Sequence, residues 1–324
     1  MNMNKYALSK LFLSFLVAFG ILGRVQQLTA QTVKSKATNT TSGYSQTIEN
    51  WHQNRIADLK TPNGWLNLEG LFWLHKGVNT FGVNKNNDCI YENPDPSDVF
   101  FPDYLGNFIF EGDSVIWESL DKYMVMVNNQ NMPFRSKVCV FNGKGLSSEM
   151  SWTMSGHSFS WTIIKREDKI GVRFRNLKSS NVLLFKGIDR FAVNEKWKIK
   201  AILNPPVQSQ LMIMNVLGQN TATKNAGKLF FQIEGKEYSL DVIDEGGPQY
   251  FITFADATSG KTTYGAGRFI ELPKPDANGN TEIDFNKAYN PPCAFTAFAT
   301  CPLPPPQNRL PIAITAGEKN YGHH

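Results

Sequence analysis

The chain carries 324 residues, 41% of them hydrophobic, with 33 basic against 28 acidic side chains. That length can bury a sizeable core in one large domain or two modest ones. Lys and Arg form no block along the chain, which excludes the clustered phosphate neutralisation that nucleic-acid binding requires.

Residues 1–30 read as a secretory signal. Lys5 and Lys10 give a basic start, and Leu11–Leu22 form an apolar stretch of about a dozen residues, short of the ~20 that a membrane span needs. Leu28-Thr29-Ala30 offers a cleavage point before Gln31, and no cysteine stands there to take a lipid anchor. The expected location is periplasmic or secreted, with no stable membrane span once the leader is gone. Loss of Lys5, Lys10 and Arg24 leaves 30 basic against 28 acidic residues, a mature chain near +2.

Residues 31–44 are small and polar and read as a flexible lead-in. A helix is predicted over 45–60. Ile48, Trp51, Ile56 and Leu59 recur at helical spacing with His52 and Arg55 beside the stripe, and Thr61-Pro62-Asn63-Gly64 ends it. From Trp65 onward the pattern changes to short β-rich runs separated by turn residues. Phe108–Phe110 and Val115–Trp117 flank Gly112-Asp113; Lys137–Phe141 runs into Asn142-Gly143; Trp197–Leu203 alternates; Leu229–Ile233 and Tyr238–Ile243 flank Gly235-Lys236; Tyr250–Phe254 and Gly267–Leu272 form a further pair. These runs predict a mainly β fold, a two-lobed antiparallel β-sandwich or barrel-like architecture with one N-terminal helix. Residues 45–321 are expected to form one compact β-rich domain, with a lobe boundary near 175–190 where polar Asn176–Asn181 interrupts the strands.

Ala255–Thr262 matches a relaxed phosphate-loop pattern, but the continuation Thr263-Tyr264-Gly265-Ala266-Gly267 is unsuited to the helix that such a loop must enter, so a hairpin turn is predicted there. Gly265-Ala266-Gly267 lacks the third glycine of a dinucleotide fingerprint and reads as a bend. His52, His75 and His157 are isolated, so neither a metal nor another cofactor is expected, and no G-x-S-x-G elbow occurs. Four cysteines, Cys89, Cys139, Cys293 and Cys301, suit disulfides in an exported chain. Cys293–Cys301 is the favoured bridge, Cys89–Cys139 the other, and free buried thiols the alternative.

Residues 284–311 contain seven prolines, which rule out a central strand or a helix beyond one turn at 284–289. The segment is expected to be an ordered, stapled lid. Around it lies a dense polar and aromatic set. Tyr264 and Arg268 are placed on one strand at i and i+4; Asp284, Asn286, Tyr289 and Asn290 precede the loop, and Asn308 and Arg309 follow it. Arg can grip a carboxylate or phosphate, and Asp and Asn can hold sugar hydroxyls. The same groups can serve structure, with Asp284 and Asn290 capping turns and Arg268 pairing with Asp284.

The run DFNKAYNPPCAFTAFATCPLPPPQNRLPIAITAGEK resembles the signature of a bacterial family of unknown function, domain-of-unknown-function family 1684. GWLNLEGLFWLHKGVNTFG at 64–82, RFAVNEKWKIKA at 190–201 and FADATSGKTTYGAGRF at 254–269 extend the resemblance to roughly residues 50–320. It implies no activity. It places Glu69, Tyr264, Gly267, Arg268, Asp284, Asn286, Tyr289, Asn290, Cys293, Cys301, Asn308 and Arg309 at motif positions. Three functions follow as expectations. The first is a module that binds a small molecule or carbohydrate under the proline-rich loop, through Glu69, Tyr264, Arg268, Asp284, Asn286, Tyr289, Asn290 and Arg309. The second is a hydrolase or lyase in the same pocket, with Asp284 or Glu69 as acid or base and Arg268 as clamp. The third is a structural or interaction domain.

Overall fold

The structure, a computed structural model, describes residues 43–93, 101–120, 122–145 and 147–322. The leader and nearly all of the lead-in lie outside the described residues. Strands hold 44% of the chain and helices 13%, and nearly all strand pairs are antiparallel.

Helix α1 spans Gly43–Lys60. Its buried line is Ile48, His52 and Leu59, with Arg55 half-buried between them. These positions fall at i, i+4, i+7 and i+11, one face of a helix. His52 and Arg55 therefore belong to the docked face rather than beside it. The helix stops where the Gly64 amide donates to the Thr61 carbonyl at 2.8 Å.

Three sheets follow. The first has the spatial order Leu68–Trp73, Lys169–Asn176, His157–Arg166, Met150–Met154, Met126–Val127, Gln130–Asn131. The second, of five strands, runs Cys89–Ile90, Gly77–Gly82, Gly106–Glu111, Ser114–Ser119, Lys137–Phe141. An aromatic core that includes Phe81, Trp117, Trp161 and Phe174, all at most 1% exposed, is built from both. Burying each such ring contributes roughly 2–3 kcal/mol before entropy is charged against it. The hairpin at Gly112-Asp113 is present, pairing Phe110 with Val115 and Glu111 with Ser114.

The third sheet runs Arg268–Pro273, Gln249–Phe254, Lys236–Ile243, Asn220–Ile233, Lys198–Asn204, Asn280–Asp284, with Gln210–Met214 added against Asn220–Ile233. Its first and last strands approach each other and nearly close it into a barrel. Leu240, Val242, Ile252, Phe254, Ile270 and Phe285 fill its core. Glu234 and Gly235, both at positive φ, make the two-residue turn that joins Asn220–Ile233 to Lys236–Ile243.

Residues 285–322 contain only three short 3₁₀ turns, Phe285–Lys287, Pro292–Ala294 and Pro306–Asn308, plus isolated bridges. The segment is fixed by bonds to its surroundings. Asn308 accepts from the Asp241 amide at 2.7 Å and donates to the Asp241 and Thr253 carbonyls at 2.9 Å. Thr296 Oγ1 donates to the Leu68 carbonyl at 2.9 Å, tying the loop to the first sheet.

No disulfide forms: all four cysteines are free thiols. Cys89 and Cys139 lie in the two edge strands of the five-stranded sheet. Four strand spacings of about 4.8 Å separate such edges, well beyond the ~7 Å that a disulfide can bridge. Cys293 and Cys301 are neighbours, with the Cys293 amide donating to Cys301 Sγ at 3.1 Å. The loop is held by the hydrogen bonds above and not by a covalent staple. The bond between the two thiols holds Cys293 below its ordinary proton affinity and raises Cys301 above it.

Candidate functional site

The residues singled out from the sequence divide into two groups. Most are structural. Arg268 begins the strand Arg268–Pro273 and is 0% exposed. Its Nη2 donates to Asp256 Oδ2 at 2.8 Å and to the Ile314 carbonyl at 3.0 Å, and its Nη1 bonds the Ala316 carbonyl. Asp256, not Asp284, is therefore its ion-pair partner, and the guanidinium faces the backbone of 314–318 rather than a cleft. Tyr264 precedes the strand instead of lying on it, and its hydroxyl donates to the Cys293 carbonyl at 3.2 Å. Gly267 sits at φ +94°, where a Cβ would come within 2.5 Å of the Phe254 carbonyl oxygen and 2.6 Å of Pro304 Cγ, so only glycine fits.

Asp284 caps the 3₁₀ turn Phe285–Lys287 and accepts from Tyr44 Oη at 2.8 Å. Asn286 donates to Tyr44 Oη at 2.9 Å and to the Asn194 carbonyl at 3.0 Å. Burial, then Asp284, raise the Tyr44 phenol well above its ordinary value. Asn290 donates its amide to the Glu318 carboxylate at 2.7 Å. Glu69 is buried in the first core and accepts from Tyr91 Oη at 2.6 Å. Arg309 is exposed at the surface. Of the predicted ligand-binding residues, Asp284 lines a side recess, and Tyr289 lines both that recess and a larger concave site.

That site is a cleft of about 710 Å³. One wall comes from the first sheet and the segment before it, with Trp65, Arg166 and Arg173; the facing wall comes from the third sheet, with Tyr250, Phe251, Phe269 and Glu271; loop residues Pro292 and Ala299–Pro302 complete it. A recess of about 370 Å³ shares Arg55, Gln249, Glu271 and Tyr289 with the cleft and continues to Asp284 and Lys287. A larger groove of about 810 Å³ runs over the third sheet, but it holds no arginine, and its Glu282 is already paired with Lys198 at 2.9 Å.

Strand alternation positions the arginines. In Lys169–Asn176, Ile170, Val172 and Phe174 point into the aromatic core, so Arg173 and Arg175 leave by the opposite face. Arg173 and Arg175 both lie over the Trp65 ring, at 5.1 Å and 5.9 Å. Arg166, last residue of the neighbouring strand, donates Nε to Thr300 Oγ1 at 3.1 Å and so ties the loop to this wall. Arg55 reaches in from α1. Its guanidinium lies 4.6 Å over the Tyr289 ring, its Nη2 donates to the Asn290 carbonyl at 2.9 Å, and its Nε is 3.5 Å from Glu318. Phe269 packs edge-on to Phe251 at 4.8 Å and to Tyr289 at 5.9 Å, giving the facing wall a rigid aromatic patch.

Burial lowers the Arg173 guanidinium to about 10, with Arg166 and Arg175 adding repulsion. Glu245, solvent-exposed at the rim, is raised by partial burial and then by Glu271. Burial also raises the Tyr289 phenol. The chemistry available is cation-mediated grip, aromatic stacking and carboxylate acceptance. No group of three or more His, Cys, Asp or Glu that could hold a metal ion occurs among the described residues, and no helix there is long and apolar enough to cross a membrane.

Residues 184–319 match the family model described as "Protein of unknown function (DUF1684)". The match begins after the first sheet, so the motif at 64–82 lies outside it. A solution NMR structure of an uncharacterised protein from Haloarcula marismortui is 29% identical over 42% of this chain and 77% of its own, with a TM-score of 0.35. No curated protein matches the chain.

Proposed function

We propose that this chain, a member of the DUF1684 family through residues 184–319, binds a small molecule of about monosaccharide size in the cleft beneath its proline-rich loop. One observation carries the reading. The cleft has the volume usual for ligand sites, ~300–1,000 Å³, and joins an aromatic wall to three arginines and two glutamates. The loop supplies part of the enclosure and is anchored to both flanking sheets, which favours a preformed site. The leader pattern supports binding outside the cytoplasm, and N-terminal sequencing of the secreted or periplasmic fraction tests it.

Thermal shift of the purified protein against neutral sugars, sugar acids and amino acids tests the reading. Stabilisation by at least one compound, lost in Tyr289→Ala, is expected. A panel without a shift contradicts it and favours an interaction domain.

A hydrolase or lyase is the second reading, favoured by Glu245. A carboxyl held above its ordinary value beside a second carboxylate is the arrangement acid–base catalysis uses. Cleavage of nitrophenyl glycosides that disappears in both Glu245→Gln and Glu271→Gln would establish it.

A further inference from the structure

The three cleft arginines differ in what neutralises them. Arg55 has Glu318 at 3.5 Å. Arg166 meets only neutral oxygens, the Thr300 hydroxyl at 3.1 Å and the Lys165 carbonyl at 2.9 Å. Arg173 makes no hydrogen bond or ion pair among the described residues, and its Nε is buried without an acceptor. Its guanidinium lies over the face of Trp65 at 5.1 Å. A half-buried guanidinium without an anion, beside two like charges, costs free energy that the fold does not recover. Burial, and then the neighbouring Arg166 and Arg175, depress its proton affinity against a smaller opposing pull from Cys301.

The rim has the opposite character. Glu245 and Glu271 are exposed there, and neither forms an ion pair with a cleft arginine among the described residues. The arginine side of the cleft thus lacks an anion, while the glutamate side would repel one and accept hydrogen-bond donors. The aromatic side chains of the facing wall suit the apolar face of a ring.

Resting on the reading of this cleft as a binding site, we propose that its ligand is a sugar acid with a single carboxylate. Arg166 and Arg173 grip that carboxylate, and the sugar hydroxyls donate to Glu245 and Glu271 at the rim. A diacid is disfavoured because its second carboxylate would face both glutamates.

Calorimetric titration of the purified protein with D-galacturonate, D-galactose and the diacid galactarate at one ionic strength tests this, with acetate as the bare-carboxylate control. Galacturonate should bind roughly tenfold or more tighter than the other three, because charge-assisted bidentate bonds are about twice as strong as neutral ones. Arg173→Gln and Arg166→Gln should each remove the advantage of galacturonate over galactose. Equal affinity for galacturonate and galactose overturns the sugar-acid assignment but leaves the cleft as a sugar site. Galactarate or acetate binding as tightly as galacturonate also overturns it, as does galacturonate binding that neither substitution weakens. If none of the four binds, both the assignment and the cleft reading fall. The comparison among ligands uses the unaltered protein, so it does not depend on how the variants fold.

Discussion

Arg268 and Arg173 are both arginines on strands of antiparallel sheets, yet they occupy opposite electrostatic situations. Arg268 is fully enclosed and paired: Asp256 balances its charge, and the backbone carbonyls of Ile314 and Ala316 accept from its two terminal nitrogens. Arg173 is half-buried and unpaired, facing a cleft beside Arg166. A buried ion pair that is completed inside the chain is a folding device. A cation whose partner is missing from the chain is a feature that a ligand can complete. The contrast separates two kinds of polar residue that a sequence motif presents alike.

The largest effect should come from breaking the completed pair. Arg268→Met leaves Asp256 buried and uncompensated and should lose about 3–5 kcal/mol in urea unfolding; a loss under about 1 kcal/mol would mean the pair is not holding the C-terminal segment. Gly267→Ala, next to it, forces a Cβ against the Phe254 carbonyl at positive φ and should cost more than about 1 kcal/mol by the same measurement. Tyr44→Phe removes the phenol that joins α1 to Asp284 and Asn286 and should cost about 1 kcal/mol. A neutral result there would detach the helix from the third sheet's energetics.

The smallest effect is at the cleft rim. Glu245 has a raised proton affinity in the folded state, so its contribution is present below its ordinary value of 4.5 and is lost as pH rises through the folded value. Melting temperature followed upward from pH 4.5 should therefore fall more in the wild type than in Glu245→Gln. Parallel curves would show that neither burial nor Glu271 raises the Glu245 carboxyl.

Much of the fold was legible because its signals are local. Gly112-Asp113 fixes one hairpin, and Gly235 marks a second whose turn is Glu234-Gly235, one residue earlier than the expected Gly235-Lys236; the prolines of 291–306 exclude regular structure, and α1 follows from apolar spacing that ends at Pro62-Asn63-Gly64. Tyr289 was legible as an aromatic beside the loop. The cleft arginines were missed because their meaning is non-local. Alternation in Lys169–Asn176 could have put Arg173 and Arg175 on one outward face, but only the approach of Thr300 and Cys301, over a hundred residues later, turns that face into a wall. Arg268 failed in the other direction. Its motif position drew notice, while its partner Asp256 is found only through the register that sets Arg268 opposite Phe254.

The most direct test is a melting experiment on ligand-free Arg268→Gln and Arg173→Gln side by side. Arg268→Gln should melt lower than wild type by on the order of 10 °C, while Arg173→Gln, relieved of an unpaired charge beside Arg166 and Arg175, should melt at or above wild type. If Arg173→Gln falls as Arg268→Gln does, Arg173 is a structural residue and the cleft has no unfilled anion position.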